Sequence, residues 1–91
     1  MPRRRAFDTR TNRLGANFLQ TDSEIALTFS GLALEASNEA KKRRTTQVAR
    51  KAYDTIMRLK QDFNLDAAGK DRLDANLRQL KRELQSLGQN F

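Results

Sequence analysis

Apolar positions recur with helical periodicity in three separate stretches of the chain. Ile25, Phe29, Leu32, Ala33 and Ala36 stand at i, i+4, i+7, i+8 and i+11, which places them on one face of an α-helix. Thr21-Asp22-Ser23-Glu24, just before this run, fits a capping box: the Thr21 hydroxyl accepts from the Glu24 N–H and the Glu24 carboxylate returns to the Thr21 N–H. The spacing therefore predicts a first helix that begins at residue 21. Leu27 and Leu34, seven apart, form a second apolar stripe, and residues 25–34 hold no charge. A helix with two apolar sides is expected to be wedged between two partners, either two helices of its own chain or one of them and a second chain. Gly31 lies inside the run at a cost of about 1 kcal/mol relative to Ala, either simply tolerated or marking close helix packing.

From residue 37 to 47 the only apolar residue is Ala40, so the chain must turn there. Ser37 or Asn38 is the preferred joint, because either can cap a helix with Glu39 in its first turn; Arg43 to Thr46 is the alternative. A second helix follows from Val48, Ala49, Ala52, Tyr53, Ile56, Leu59 and Phe63, with Asp54 and Arg58 as an i,i+4 pair on its flank. Asn64 or Asp66 supplies the next cap. Leu73, Leu77, Leu80, Leu84 and Leu87 then alternate spacings of 4 and 3, the pattern of a heptad seam, on a third helix expected over residues 66–87 with Gly88 as its C′ residue.

These elements predict an all-α protein: a three-helix bundle, built as a helical hairpin plus a third long helix, over residues 21–91, behind a disordered basic N-terminal arm over residues 1–20. The bundle has eighteen large apolar side chains, ten of them Leu. A core this small typically yields about 3 to 5 kcal/mol of net stability. Association through exposed leucines is therefore expected, and Leu27, Leu34, Leu73, Leu77, Leu80 and Leu84 are the candidate partner interface.

Charge refines this picture. The formal net charge is +7, and residues 1–20 carry five Arg against one Asp. An Arg-rich segment with few large apolar side chains cannot offset the entropy of ordering. Arg4-Arg5-Ala6-Phe7 is similar to a twin-arginine export signal, but Asp8-Thr9-Arg10-Thr11-Asn12-Arg13 replaces the apolar stretch that export requires. No run of 18 apolar residues offers a membrane span, and cytoplasm is the default expectation. A second basic block, Lys41, Lys42, Arg43 and Arg44 with Arg50 and Lys51, joins Arg3, Arg4, Arg5, Arg10 and Arg13 as candidate phosphate contacts, the electrostatic footprint of a nucleic-acid binder.

The chain contains no His, no Cys and no Trp, which excludes imidazole general bases, thiol nucleophiles, thiolate or imidazole metal sites and disulfides. No phosphate-binding glycine loop, dinucleotide fingerprint or nucleophile elbow occurs. Asp71 and Asp74 share a helix face, yet Lys70, Arg72 and Arg78 beside them favour ion pairing over metal binding. A non-enzymatic protein without catalytic residues, cofactor or small-molecule substrate is the expectation.

Ala49-Arg50-Lys51-Ala52-Tyr53-Asp54-Thr55-Ile56-Met57-Arg58-Leu59 resembles the second helix of a tetratricopeptide repeat, in which a small residue, an aromatic and an aliphatic pack on a preceding helix. Leu32-Ala33 followed by Ala36 is similar to the small-residue face of that preceding helix. The connection is about four residues longer than in the repeat, and no second copy follows. A hairpin with one added helix also resembles the microtubule-interacting-and-transport type of domain, and the chain as a whole resembles small bacterial proteins. The resemblance implies a helical module that binds a protein, itself or another helical partner. Nucleic-acid association is the alternative reading.

Overall fold

In the computed structural model, which describes residues 9–91, three helices account for most of the described residues. They are α1 (Thr9–Glu35), α2 (Glu39–Leu59) and α3 (Ala67–Ser86), with a single 3-10 turn at Lys60–Asp62 closing α2. There is no strand among the described residues. The all-α three-helix architecture is as the periodicity requires. The expectation of a disordered arm falls partly on residues 1–8, which lie outside the described residues.

The start of α1 differs from the capping-box expectation by twelve residues. Thr21 and Glu24 are exposed positions in the middle of a 27-residue helix rather than its cap. Tertiary contacts available only in the folded chain extend the helix backward. Leu19 is fully buried in the core, and the Asn12 side-chain amide donates to the Asn64 carbonyl at 2.8 Å and accepts from the Asn64 N–H at 2.7 Å. Gly15 lies directly under the Phe63 ring, where a Cβ would overlap its carbons. These partners come from the connection between α2 and α3, about fifty residues downstream.

The inward face of α1 is also not the one its large apolar residues suggest. Leu19, Ser23, Ala26, Ser30 and Ala33 are fully buried, whereas Ile25 and Leu32 are 48% and 44% exposed. Two of these five fully buried residues are serines, and α3 supplies partners for both. Asn76 Nδ2 donates to Ser23 Oγ at 3.0 Å, and the Ser30 hydroxyl meets the Glu83 carboxylate. Both pairs are 53 residues apart, so one register holds α3 parallel to α1. Small side chains let α1 approach its neighbours closely, and polar satisfaction removes the penalty of burying hydroxyls. Gly31 has nothing within 4 Å of its would-be Cβ, so it is tolerated rather than required by packing.

The first joint falls at the preferred Ser37–Asn38 position, and the second uses one of its two candidate caps. Asn38 caps α2, its Oδ1 accepting from the Lys41 N–H at 3.0 Å, and Asp66 caps α3, its Oδ1 accepting from the Gly69 N–H at 2.7 Å. At the other end of α3, Gly88 takes φ 95°; its N–H donates to the Gln85 carbonyl and that of Gln89 to the Leu84 carbonyl, a complete Schellman motif.

The core joins Leu19 and Ala26 of α1, Ala49, Tyr53 and Ile56 of α2, and Leu73, Leu77, Leu80 and Leu84 of α3. This corrects the expected partner interface. The four α3 leucines are at most 5% exposed and belong to the bundle's own interior, and Leu27 packs against the same cluster. Of the six candidates only Leu34, 44% exposed, faces outward. The heptad seam was legible, but in a three-helix bundle the two other helices of the chain are enough to cover it.

Candidate interaction surfaces

Two surfaces remain once the core is assigned. The first lies on the outside of α1. Leu14, Phe18, Ile25 and Leu32 are 64%, 49%, 48% and 44% exposed. With Thr21 and Thr28 they stand at spacings of 4, 3, 4, 3 and 4, a heptad seam on the side of α1 turned away from the core. The seam runs about 27 Å at 1.5 Å per residue. No Lys or Arg occurs in α1 after Arg13, while Asp22, Glu24 and Glu35 do, so the borders of this stripe are acidic. The periodicity puts Ile25 and Leu32 on the core face and leaves Leu14 and Phe18 in the arm, as side chains that could still dock onto the domain; the 14, 18, 25, 32 spacing is the feature that joins the four.

The second surface is α2. Its residues 39–59 hold seven cations and two anions, a net of +5, whereas the rest of residues 9–91 holds eight of each. The helix therefore carries the whole net charge of the described chain. Its core-facing side is Thr46, Ala49, Tyr53 and Ile56, which leaves Lys41, Arg43, Arg44, Lys51 and Arg58 exposed. None of these five is ion-paired among the described residues.

The structure divides the expected phosphate contacts. Arg3, Arg4 and Arg5 lie outside the described residues. Arg10 and Arg13 sit on the first turns of α1 and not in an arm. Because Asn12 is bonded to Asn64 beyond the end of α2, these two arginines are at the opposite end of the bundle from Lys41–Arg44, about 30 Å away along a 21-residue helix. Lys42 is half-buried. Arg50 is committed within the chain: it pairs with Asp54 at 3.1 Å, donates to the Asn90 carbonyl at 2.7 Å, and stacks its guanidinium 4.0 Å from the centre of the Phe91 ring. Phe91 also packs against Tyr53 in a T-shaped pair, with ring centroids 5.0 Å apart, so the C-terminal residues fold back onto α2. Tyr53 is a core residue, as its position in the apolar stripe implies.

A cleft of about 330 Å³ between the end of α2 and the start of α3 is lined by Lys60, Phe63, Leu65, Lys70 and Asp74, among others. Asp74 lies 3.0 Å from Lys70 and 3.7 Å from Lys60. The hydrogen bond from Lys70, helped by the positive charges of Lys70, Lys60 and Arg78, holds its carboxyl below the usual range against the opposing effect of burial. This carboxylate is engaged in ion pairs, the fate expected of it. Among the described residues no group of three or more acidic side chains is placed to hold a metal ion. None of the described helices is long and apolar enough to cross a membrane.

Comparison of the chain with protein-family models, with curated proteins and with solved structures finds no match.

Proposed function

We propose that the protein is a non-enzymatic helical interaction module whose binding surface is the outer face of α1. The observation that carries the reading is the exposed seam of Leu14, Phe18, Ile25 and Leu32 on a helix whose other side is already occupied by the core. Fully burying a Leu, Ile or Phe contributes about 1.5–3 kcal/mol. Covering the exposed halves of these four yields a gross gain of roughly 4 kcal/mol, most of which association costs offset. The surface suits a transient partner helix laid along the seam.

The acidic borders define that partner. Asp22 and Glu24 straddle the midpoint of the stripe, so two antiparallel copies of α1 would oppose four carboxylates at their two-fold axis. A partner helix with Lys or Arg beside its apolar positions would meet opposite charge instead. The test uses two synthetic 21-residue helical peptides with Leu at every seam position, one flanked by Lys and one by Glu, titrated calorimetrically into the full chain. The Lys-flanked peptide is expected to bind in the micromolar range and to lose binding with Ile25→Glu, while circular dichroism of that variant stays unchanged. Equal binding of both peptides, or binding of neither, overturns the reading; dimers in light scattering would replace it with self-association.

A further inference from the structure

We propose that the outward face of α2 is a docking surface for the phosphodiester backbone of duplex nucleic acid, separate from the α1 seam and independent of base sequence. What points to this surface is the distribution of charge rather than its total. The described chain outside α2 is neutral, so the +5 of this helix is not diluted by its neighbours. Lys41, Arg44, Lys51 and Arg58 recur at intervals of 3, 7 and 7 on the outward side, with Arg43 on its border. The stripe spans about 26 Å at 1.5 Å per residue, a length matched by several phosphates spaced about 3.4 Å apart along one strand of a duplex. The two acids of α2 do not neutralise it: Asp54 is held by Arg50, and Glu39 lies at the N-terminal edge.

The chemistry of the same face selects among polyanions. The apolar side of α2 is consumed by the core, and between the cations the outward side presents Ala40, Gln47 and one large apolar residue, the 46% exposed Val48, with Met57 at the margin. A helix that lies in a bilayer surface needs a free apolar face to insert, which α2 lacks. Single-stranded nucleic acid is held largely by stacking on aromatic rings. The one aromatic residue of α2, Tyr53, is buried, and the half-exposed Phe91 ring that packs on it is already faced by the Arg50 guanidinium. Charge without insertion or stacking matches a duplex backbone, and phosphate contacts carry no base information.

Five phosphate contacts contribute a slope of about −4.5 to the plot of log affinity against log salt, or about a 500-fold loss between 50 and 200 mM. The experiment measures fluorescence anisotropy of the full chain with two unrelated 24-base-pair DNA duplexes over that range. Replacing two contacts, Arg44→Gln with Lys51→Gln, is expected to flatten the slope by about 1.8 and to shrink the salt-induced loss about 12-fold. Arg10→Gln with Arg13→Gln removes the same charge from the other end of the bundle and is expected to leave the slope nearly unchanged. Unchanged helical circular dichroism in both double variants confirms that the fold is intact, since all four positions are exposed. Equal flattening by the two double variants would mean attraction to gross charge and would overturn the proposal. So would absence of duplex binding at 50 mM salt, a strong preference between the two duplexes, or binding to phosphatidylserine vesicles in place of duplex.

Discussion

Gly15 and Gly31 lie on the same helix, and replacing each with Ala should shift stability in opposite directions. Taken alone, either substitution raises helix propensity by about 1 kcal/mol. At Gly31 nothing stands within 4 Å of the new Cβ, so the gain is expected nearly whole, about 0.8–1 kcal/mol of added stability. At Gly15 the new Cβ overlaps the Phe63 ring, which must swing away. Phe63 is half-buried against the core cluster, and forcing an extra carbon into such a contact costs about 1–3 kcal/mol. The net effect is a loss of about 0–2 kcal/mol, separating the two variants by about 1–3 kcal/mol, or roughly 4–8 °C in Tm for each kcal/mol in a domain this small. Urea unfolding followed by circular dichroism measures the difference, and a Phe63→Ala background should remove the penalty at Gly15 while leaving the gain at Gly31. Amide exchange adds a local readout, because a displaced Phe63 loosens residues 9–20 first. If Gly15→Ala stabilises as much as Gly31→Ala, the N-terminal turns of α1 do not dock on the α2–α3 connection, and the assignment of the outer seam at Leu14 and Phe18 fails with them.

Two further outcomes bear on the core and on the cleft. Leu80→Ala, at a fully buried seam position, should cost about 2–5 kcal/mol and largely unfold the domain at room temperature, whereas Leu34→Ala, at a 44% exposed site, should stay within about 0.5 kcal/mol of the parent in the same urea assay. Asp74 has a carboxyl held below its ordinary value by Lys70 and Lys60, so its contribution to stability is complete above the unfolded-state pKa of about 3.9 and is lost as pH falls through the lower folded value. Asp74→Asn should therefore lower stability at neutral pH and flatten the acid limb of the stability profile. Parallel acid limbs for the two proteins would show that the ion pairs add nothing.

Much of the architecture was legible along the chain because it rests on local chemistry. Asn38 and Asp66 cap helices wherever the chain goes, since a short side-chain acceptor satisfies free N–H groups within three residues. Gly88 ends α3 because its positive φ is open to glycine at little cost. The heptad leucines of α3 define an apolar stripe with or without neighbours. The start of α1 was not legible, because Thr21 to Glu24 is a genuine local cap motif overruled by Asn12, Gly15 and Leu19 finding partners far downstream. The inward face of α1 was hidden for a related reason: burial of Ser23 and Ser30 depends on Asn76 and Glu83, which no pattern within α1 announces.

The same division holds for the candidate surfaces. Composition already excluded imidazole and thiol chemistry and located an excess of positive charge, and helical periodicity assigned two apolar sides to the first helix. Which side would face water was a decision of tertiary packing, because α1 is flanked closely by two helices and only its small-residue face admits them. The larger Leu14, Phe18, Ile25 and Leu32 are left outside as a result. Packing likewise separated Arg10 and Arg13 from Lys41–Arg44 by placing α1 and α2 antiparallel, and it withdrew Arg50 into contacts with the C-terminal residues. Sequence by itself determined how much apolar and cationic surface the chain would possess; the register between helices, set by long-range contacts, decided which of it remains available to a partner.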